Sequence, residues 1–113
     1  MKVRRVNLGL NTADAEQVGI AFVNGALVLD FVDWQERPQT RTFQDVLAFR
    51  WQEFDERDIR DDTTYEVMES AWLIRQAELQ AVPPGDYAHY MVCFNACGVL
   101  DILCRRLPVG DPG

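Results

Sequence analysis

The 113-residue sequence predicts an α+β fold: a curled antiparallel sheet of five to seven strands (meander plus C-terminal hairpin) with one main helix, order ββββ(β)αββ. Three observations predict it. An Asn-Gly pair lies between two β-rich runs in residues 18–31, alternating apolar runs recur in residues 89–104, and Ser70 precedes a stretch that closes on Pro83-Pro84-Gly85. A chain of this length buries roughly two-thirds of its unfolded surface, enough for one core without staples. Residues 1–107 are read as that single domain and 108–113 as a flexible C-terminal tail.

Each element follows in order. Val3, Val6 and Leu8 read as a first strand, ended by Gly9 and the polar residues 11–14. Asn24-Gly25 is the strongest short-range hairpin signal, because a type I′ turn needs positive φ at both central residues. It pairs Val23 with Ala26, Phe22 with Leu27, Ile20 with Leu29 and Val18 with Phe31, and the last three pairs make one apolar face. Pro38 marks a turn, after which Thr40 to Phe43 is extended. Residues 43–54 fit two periods: Phe43, Val46, Leu47, Trp51 and Phe54 a helical stripe, Leu47, Phe49 and Trp51 a strand. Turn chemistry at Gln44-Asp45 and the β-rich surroundings favour strand. Ser70 is the N-cap of a helix from Ala71 to about Gln80. In the second hairpin, Asn95 opens a four-residue turn that Gly98 closes, which pairs Phe94 with Leu100, Val92 with Ile102 and Tyr90 with Cys104.

Charge limits the partners. Eleven cations against eighteen carboxylates leave a net charge of −7. Phosphate backbones and anionic lipid are bound through cationic surfaces, so neither nucleic acid nor membrane is an expected partner. A small basic patch of Lys2, Arg4, Arg5, Arg105 and Arg106 would need the two ends of the chain to meet. The acidic charge is concentrated instead: Glu53, Asp55, Glu56, Asp58, Asp61, Asp62, Glu66 and Glu69 fall within seventeen residues. Such a cluster is either a solvated loop or a docking surface that steers a basic protein. No glycine lies between Gly25 and Gly85, so an EF-hand loop is excluded. No apolar run reaches the ~20 residues of a membrane span, and the basic start has no apolar continuation of the kind a signal peptide needs. The chain reads as cytoplasmic and bacterial in style.

Cys93, Cys97, Cys104 and His89 suggest a metal set only on paper. On a strand, residues four apart are separated by ~13 Å, and the expected register puts Cys104 on the opposite face from Cys93 and His89. The same spacing excludes a Cys93–His89 dyad. His89 is read as an ordinary strand residue near an edge, Cys93 and Cys104 as small core residues, and Cys97 as an exposed thiol. Asp30, Asp33, Glu36 and Asp101 remain as a carboxylate set that folding would have to converge. Neither cofactor nor metal is implied, and no enzyme activity is expected.

The strings Phe-Val-Asp-Trp-Gln-Glu (31–36), Asp-Val-Leu-Ala-Phe-Arg-Trp (45–51), Tyr-Glu-Val-x-x-Ser-x-Trp-Leu (65–73) and His-Tyr-x-x-Cys-Phe-Asn-Ala-Cys-Gly-Val-Leu-Asp (89–101) resemble a family of small uncharacterised bacterial proteins. These are similar in general style to the immunity proteins of polymorphic toxin systems. The resemblance implies a binding module and carries no site residues. The expectation is a non-catalytic acidic module that docks a basic protein through Asp55, Glu56, Asp58, Asp61 and Asp62, with Trp34 or Trp72 as aromatic anchor. The alternative is a small-molecule-binding curled sheet or half-barrel. A homodimer through an edge strand is the third reading.

Overall fold

In the computed structural model, residues 2–13, 15–53, 63–94 and 98–108 are described, and they form two antiparallel sheets and one α-helix. The strands are β1 (Lys2–Arg5), β2 (Glu16–Val23), β3 (Ala26–Val32), β4 (Pro38–Phe43), β5 (Ala48–Gln52), β6 (Thr64–Met68), β7 (Tyr87–Phe94) and β8 (Gly98–Arg105), with helix α1 (Ala71–Leu79) between β6 and β7. The α+β class stands. The described strands number eight rather than five to seven, and β6 was not foreseen. Sheet order is β1-β6-β7-β8-β5 in one sheet and β2-β3-β4 in the other.

The expected single curled sheet divides after β4, and local hydrogen bonds show why. Asp45 adopts a left-handed φ of +49°. The next two amides then point to different partners: Val46 N–H donates to the Gly25 carbonyl and Leu47 N–H to the Leu103 carbonyl, both at 2.8 Å. The chain therefore leaves the turn of the first hairpin and joins β8, and β5 extends the second sheet instead of the meander. The alternation of residues 47–51 is that of a strand, in agreement with expectation.

The first hairpin keeps the expected register from Val23↔Ala26 to Gly19↔Asp30. Asn24 and Gly25 have φ of +52° and +78°, as a type I′ turn demands. The register fails only at Val18/Phe31, where Glu16 opposes Val32 and Gln17 sits at φ +55° in a bulge. The second hairpin is corrected by two residues: Phe94 pairs with Gly98, Val92 with Leu100, Tyr90 with Ile102 and Ala88 with Cys104. Gly98 belongs to the strand, not the turn. A Cβ there would lie 2.5 Å from the Gln52 carbonyl oxygen and 2.8 Å from Trp51 Cζ2, so the glycine is required by the approach of β5. Because side chains alternate with period two, the slip leaves every residue on its expected face.

The layers follow from that alternation. Leu27, Leu29 and Phe31 of β3 and Phe43 of β4 pack on Ala88, Tyr90, Val92, Phe94, Leu100, Ile102 and Cys104 of β7 and β8. The large rings of Phe31, Phe43, Tyr90 and Phe94 fill this interior. On the opposite face of the five-stranded sheet, Leu73 of α1 packs with Tyr87 and Leu103. Ser70 is the N-cap as expected, its Oγ accepting from Leu73 N–H at 3.2 Å. No helix among the described residues is long and apolar enough to cross a membrane.

Candidate functional site

Two features of this scaffold carry chemistry, one on each face of the five-stranded sheet. The first is a chain of buried polar side chains on the outer face. His89 stands on β7, the middle strand of the five, and is almost wholly buried; the edge position expected for it is corrected. Its Nδ1 lies 2.8 Å from Ser70 Oγ and its Nε2 lies 2.7 Å from Asp101 Oδ1. Register produces the second contact. Leu103 faces His89 and Asp101 faces Met91, so His89 and Asp101 are diagonal neighbours on one face, within reach of their side chains. Arg50 on β5 directly opposes Asp101 and places Nε 3.4 Å from Oδ2. Trp72 meets the His89 ring edge-on at 5.3 Å, and the Arg50 guanidinium covers Trp72 at 4.8 Å.

An ionised carboxylate only accepts, so Nε2–H donates to Asp101; a neutral ring then has Nδ1 free to accept from the Ser70 hydroxyl. The serine–histidine–aspartate order was missed in the sequence because the expected register placed Asp101 opposite Cys93, four residues along the strand from His89. Ser70 was recognised as a cap without its second contact.

The second feature is an open seam where the two sheets part. Val18 and Ile20 of edge strand β2 and Phe49, Trp51 and Glu53 at edge strand β5 line a surface cleft of about 500 Å³. Ile20 and Phe22 share the inner face with Leu29 and Leu27, and Phe49 and Trp51 share it with Ile102 and Leu100. The seam is thus the uncovered margin of the main core. Phe22 and Phe49 meet across it at 5.4 Å between centroids, yet Phe22 remains 49% exposed and the adjoining Val23 59%.

The anticipated anchors do not share a surface. Trp34 is 57% exposed in the β3–β4 connection of the three-stranded sheet. Trp72 is half-buried on the helix side of the other sheet, against His89. Asp55, Glu56, Asp58, Asp61, Asp62 and Cys97 lie outside the described residues. Glu66, counted within the acidic cluster, is buried and bound by Arg4 at 2.7 Å and Arg106 at 2.9 Å. Arg4 and Arg106 do meet, but around a buried carboxylate that they share. Asp30 and Asp33 stand in or beside the three-stranded sheet and Asp101 in the other, so that carboxylate set does not converge.

The two thiols among the described residues are buried. Cys93 and Cys104 are buried on opposite faces of the five-stranded sheet, and burial pushes the Cys104 thiol up to about 12. Comparison of the chain with protein-family models, curated proteins and solved structures finds no match in any of the three.

Proposed function

We propose that this chain is a protein-docking module whose seam between β2 and β5 takes an extended, apolar segment of a basic partner. The seam carries the reading. An edge strand presents unpaired N–H and C=O groups that template another strand, and soluble folds normally guard such edges. Here β1 is guarded by Lys2, Arg4 and Arg5, and β4 by Pro38 and by polar residues along its length. The other two edges offer Val18, Ile20, Phe22, Phe49 and Trp51 instead. Two such edges beside an apolar cleft suit strand addition, in which main-chain bonds give affinity and alternate side chains fill pockets. Glu53 lines the cleft and opens the run that continues through Asp55, Glu56, Asp58, Asp61 and Asp62. Together with the net charge of −7, this favours cationic flanks on the bound segment. An immunity-like role, neutralising a basic toxin, fits that chemistry.

Fluorescence anisotropy with a labelled peptide of alternating Val and Thr flanked by Lys pairs tests the reading. Binding is expected at roughly 1–100 μM, weakened about tenfold or more by Ile20→Lys or Phe49→Asp. Reversing the five carboxylates between 55 and 62 to Lys is expected to weaken binding and flatten its salt dependence. Equal binding of a proline-interrupted or acid-flanked peptide overturns the proposal. So does a stable dimer by light scattering that Phe49→Asp disperses, because the occupant is then a second copy.

A further inference from the structure

The buried chain on the other face of the sheet is independent of the seam, and we propose that it is a serine-nucleophile site for short-chain acyl esters. A nucleophilic serine needs a base within hydrogen-bond reach and a third group that orients the base. Ser70, His89 and Asp101 meet both conditions at 2.8 and 2.7 Å. Asp101, with Arg50 on its second oxygen, fixes the imidazole in the tautomer whose Nδ1 is unprotonated. Ser70 Oγ gives its proton to Nδ1 and one lone pair to Leu73 N–H, which leaves the second lone pair for a carbonyl carbon.

Access and shape set the substrate class. Ser70 is 8% exposed and lines a surface depression with Lys2, Val67, Met68, Glu69, Ala71 and Trp72. Val67, Met68 and Trp72 form the apolar part of this open depression, against which a small acyl group would rest. The hydroxyl stands at the start of α1, where the first amides lack intrahelical partners and would serve as donors to the charge that develops on the attacked oxygen. In the reaction, Ser70 Oγ bonds to the ester carbonyl carbon as its proton passes to His89 Nδ1. The carbon–alkoxy bond breaks and the leaving oxygen takes that proton, releasing the alcohol. Water then attacks the acyl-serine, its proton returning through His89 to Ser70 Oγ, and the carboxylic acid leaves. Asp101 is a positioning residue in this scheme.

Two measurements on the full chain decide it. Diisopropyl fluorophosphate should add one adduct by intact mass, mapped to Ser70, and p-nitrophenyl acetate should be hydrolysed above buffer. Ser70→Asn keeps a side-chain acceptor for the helix cap and should abolish both signals while retaining the melting profile. Asp101→Asn should lower kcat by about 10³–10⁴-fold with KM held, since the wrong tautomer then faces the hydroxyl. A wild-type chain that forms no adduct and hydrolyses no faster than Ser70→Asn overturns the assignment. Labelling of Ser70 at the wild-type rate in a folded His89→Gln variant does the same.

Discussion

Asp33 shows how a single carboxylate organises a connection. It sits in the turn joining β3 to β4 and accepts from the Gln35 and Arg37 amides, both at 2.9 Å, and from Gln39 Nε2 at 3.1 Å. The Arg37 amide, more than any other group, holds its carboxyl below the usual carboxylate range. Burial opposes this, and the Gln35 amide, the Gln39 side chain and the Arg37 charge add to it. A folded-state pKa below the unfolded 3.8 means stability that is present above that value and is lost as pH falls through the folded one. Asp33→Asn should therefore lower Tm near pH 6, and the gap to wild type should narrow steadily as the melting series approaches pH 3. A gap that is constant with pH would assign the effect to turn geometry alone. Cys104 makes the opposite kind of statement: with its thiol near 12, it should resist iodoacetamide at about pH 8 until the chain is unfolded.

Among elements, β5 presses closely on β8 at Gly98. Gly98 has φ +148° and no space for a Cβ against Gln52 and Trp51. Gly98→Ala should cost roughly 1–3 kcal/mol by urea unfolding, from overpacking and a strained φ together, and should displace the edge strand that carries Trp51. The same contact explains what was legible in the sequence. The first hairpin was readable almost entirely because Asn24-Gly25 and the apolar alternation choose one register. The second was not, because nothing in residues 94–98 announces that β5 will press on Gly98; local turn rules then place the glycine in the turn. Faces survived the two-residue error, so the core was readable. The diagonal His89–Asp101 contact did not survive it, since the error moves Asp101 from beside His89 to ~13 Å along the strand. Helix α1 and its cap were legible from Ser70 and the prolines. β6 was not, because its charge pattern continues the acidic run, and Glu66 is buried only through Arg4 and Arg106 from distant ends of the sequence.

For the whole molecule, that last contact is the clasp. The three layers (three-stranded sheet, five-stranded sheet, helix) are held mainly by apolar burial. The ends of the chain are joined by charge: Arg4 of β1 and Arg106 beyond β8 share the two oxygens of Glu66, and Arg106 also donates to the Tyr87 carbonyl at 3.2 Å. Hydrogen bonds to a charged partner contribute about 1.5–3 kcal/mol each when dry. Both arginines are about half exposed while the carboxylate is not, so solvent screening reduces that range. Glu66→Gln keeps the shape and one acceptor but removes the charge, and should cost about 1–3 kcal/mol. Urea unfolding should register this as a lower midpoint at unchanged slope, because the surface exposed on unfolding is the same. Because part of the contribution is coulombic, the difference from wild type should shrink as salt is raised. A loss confined to β1, with the midpoint of the remaining structure unmoved, would mean that the N-terminal strand is an appendage and that the clasp does not couple the chain ends to the core.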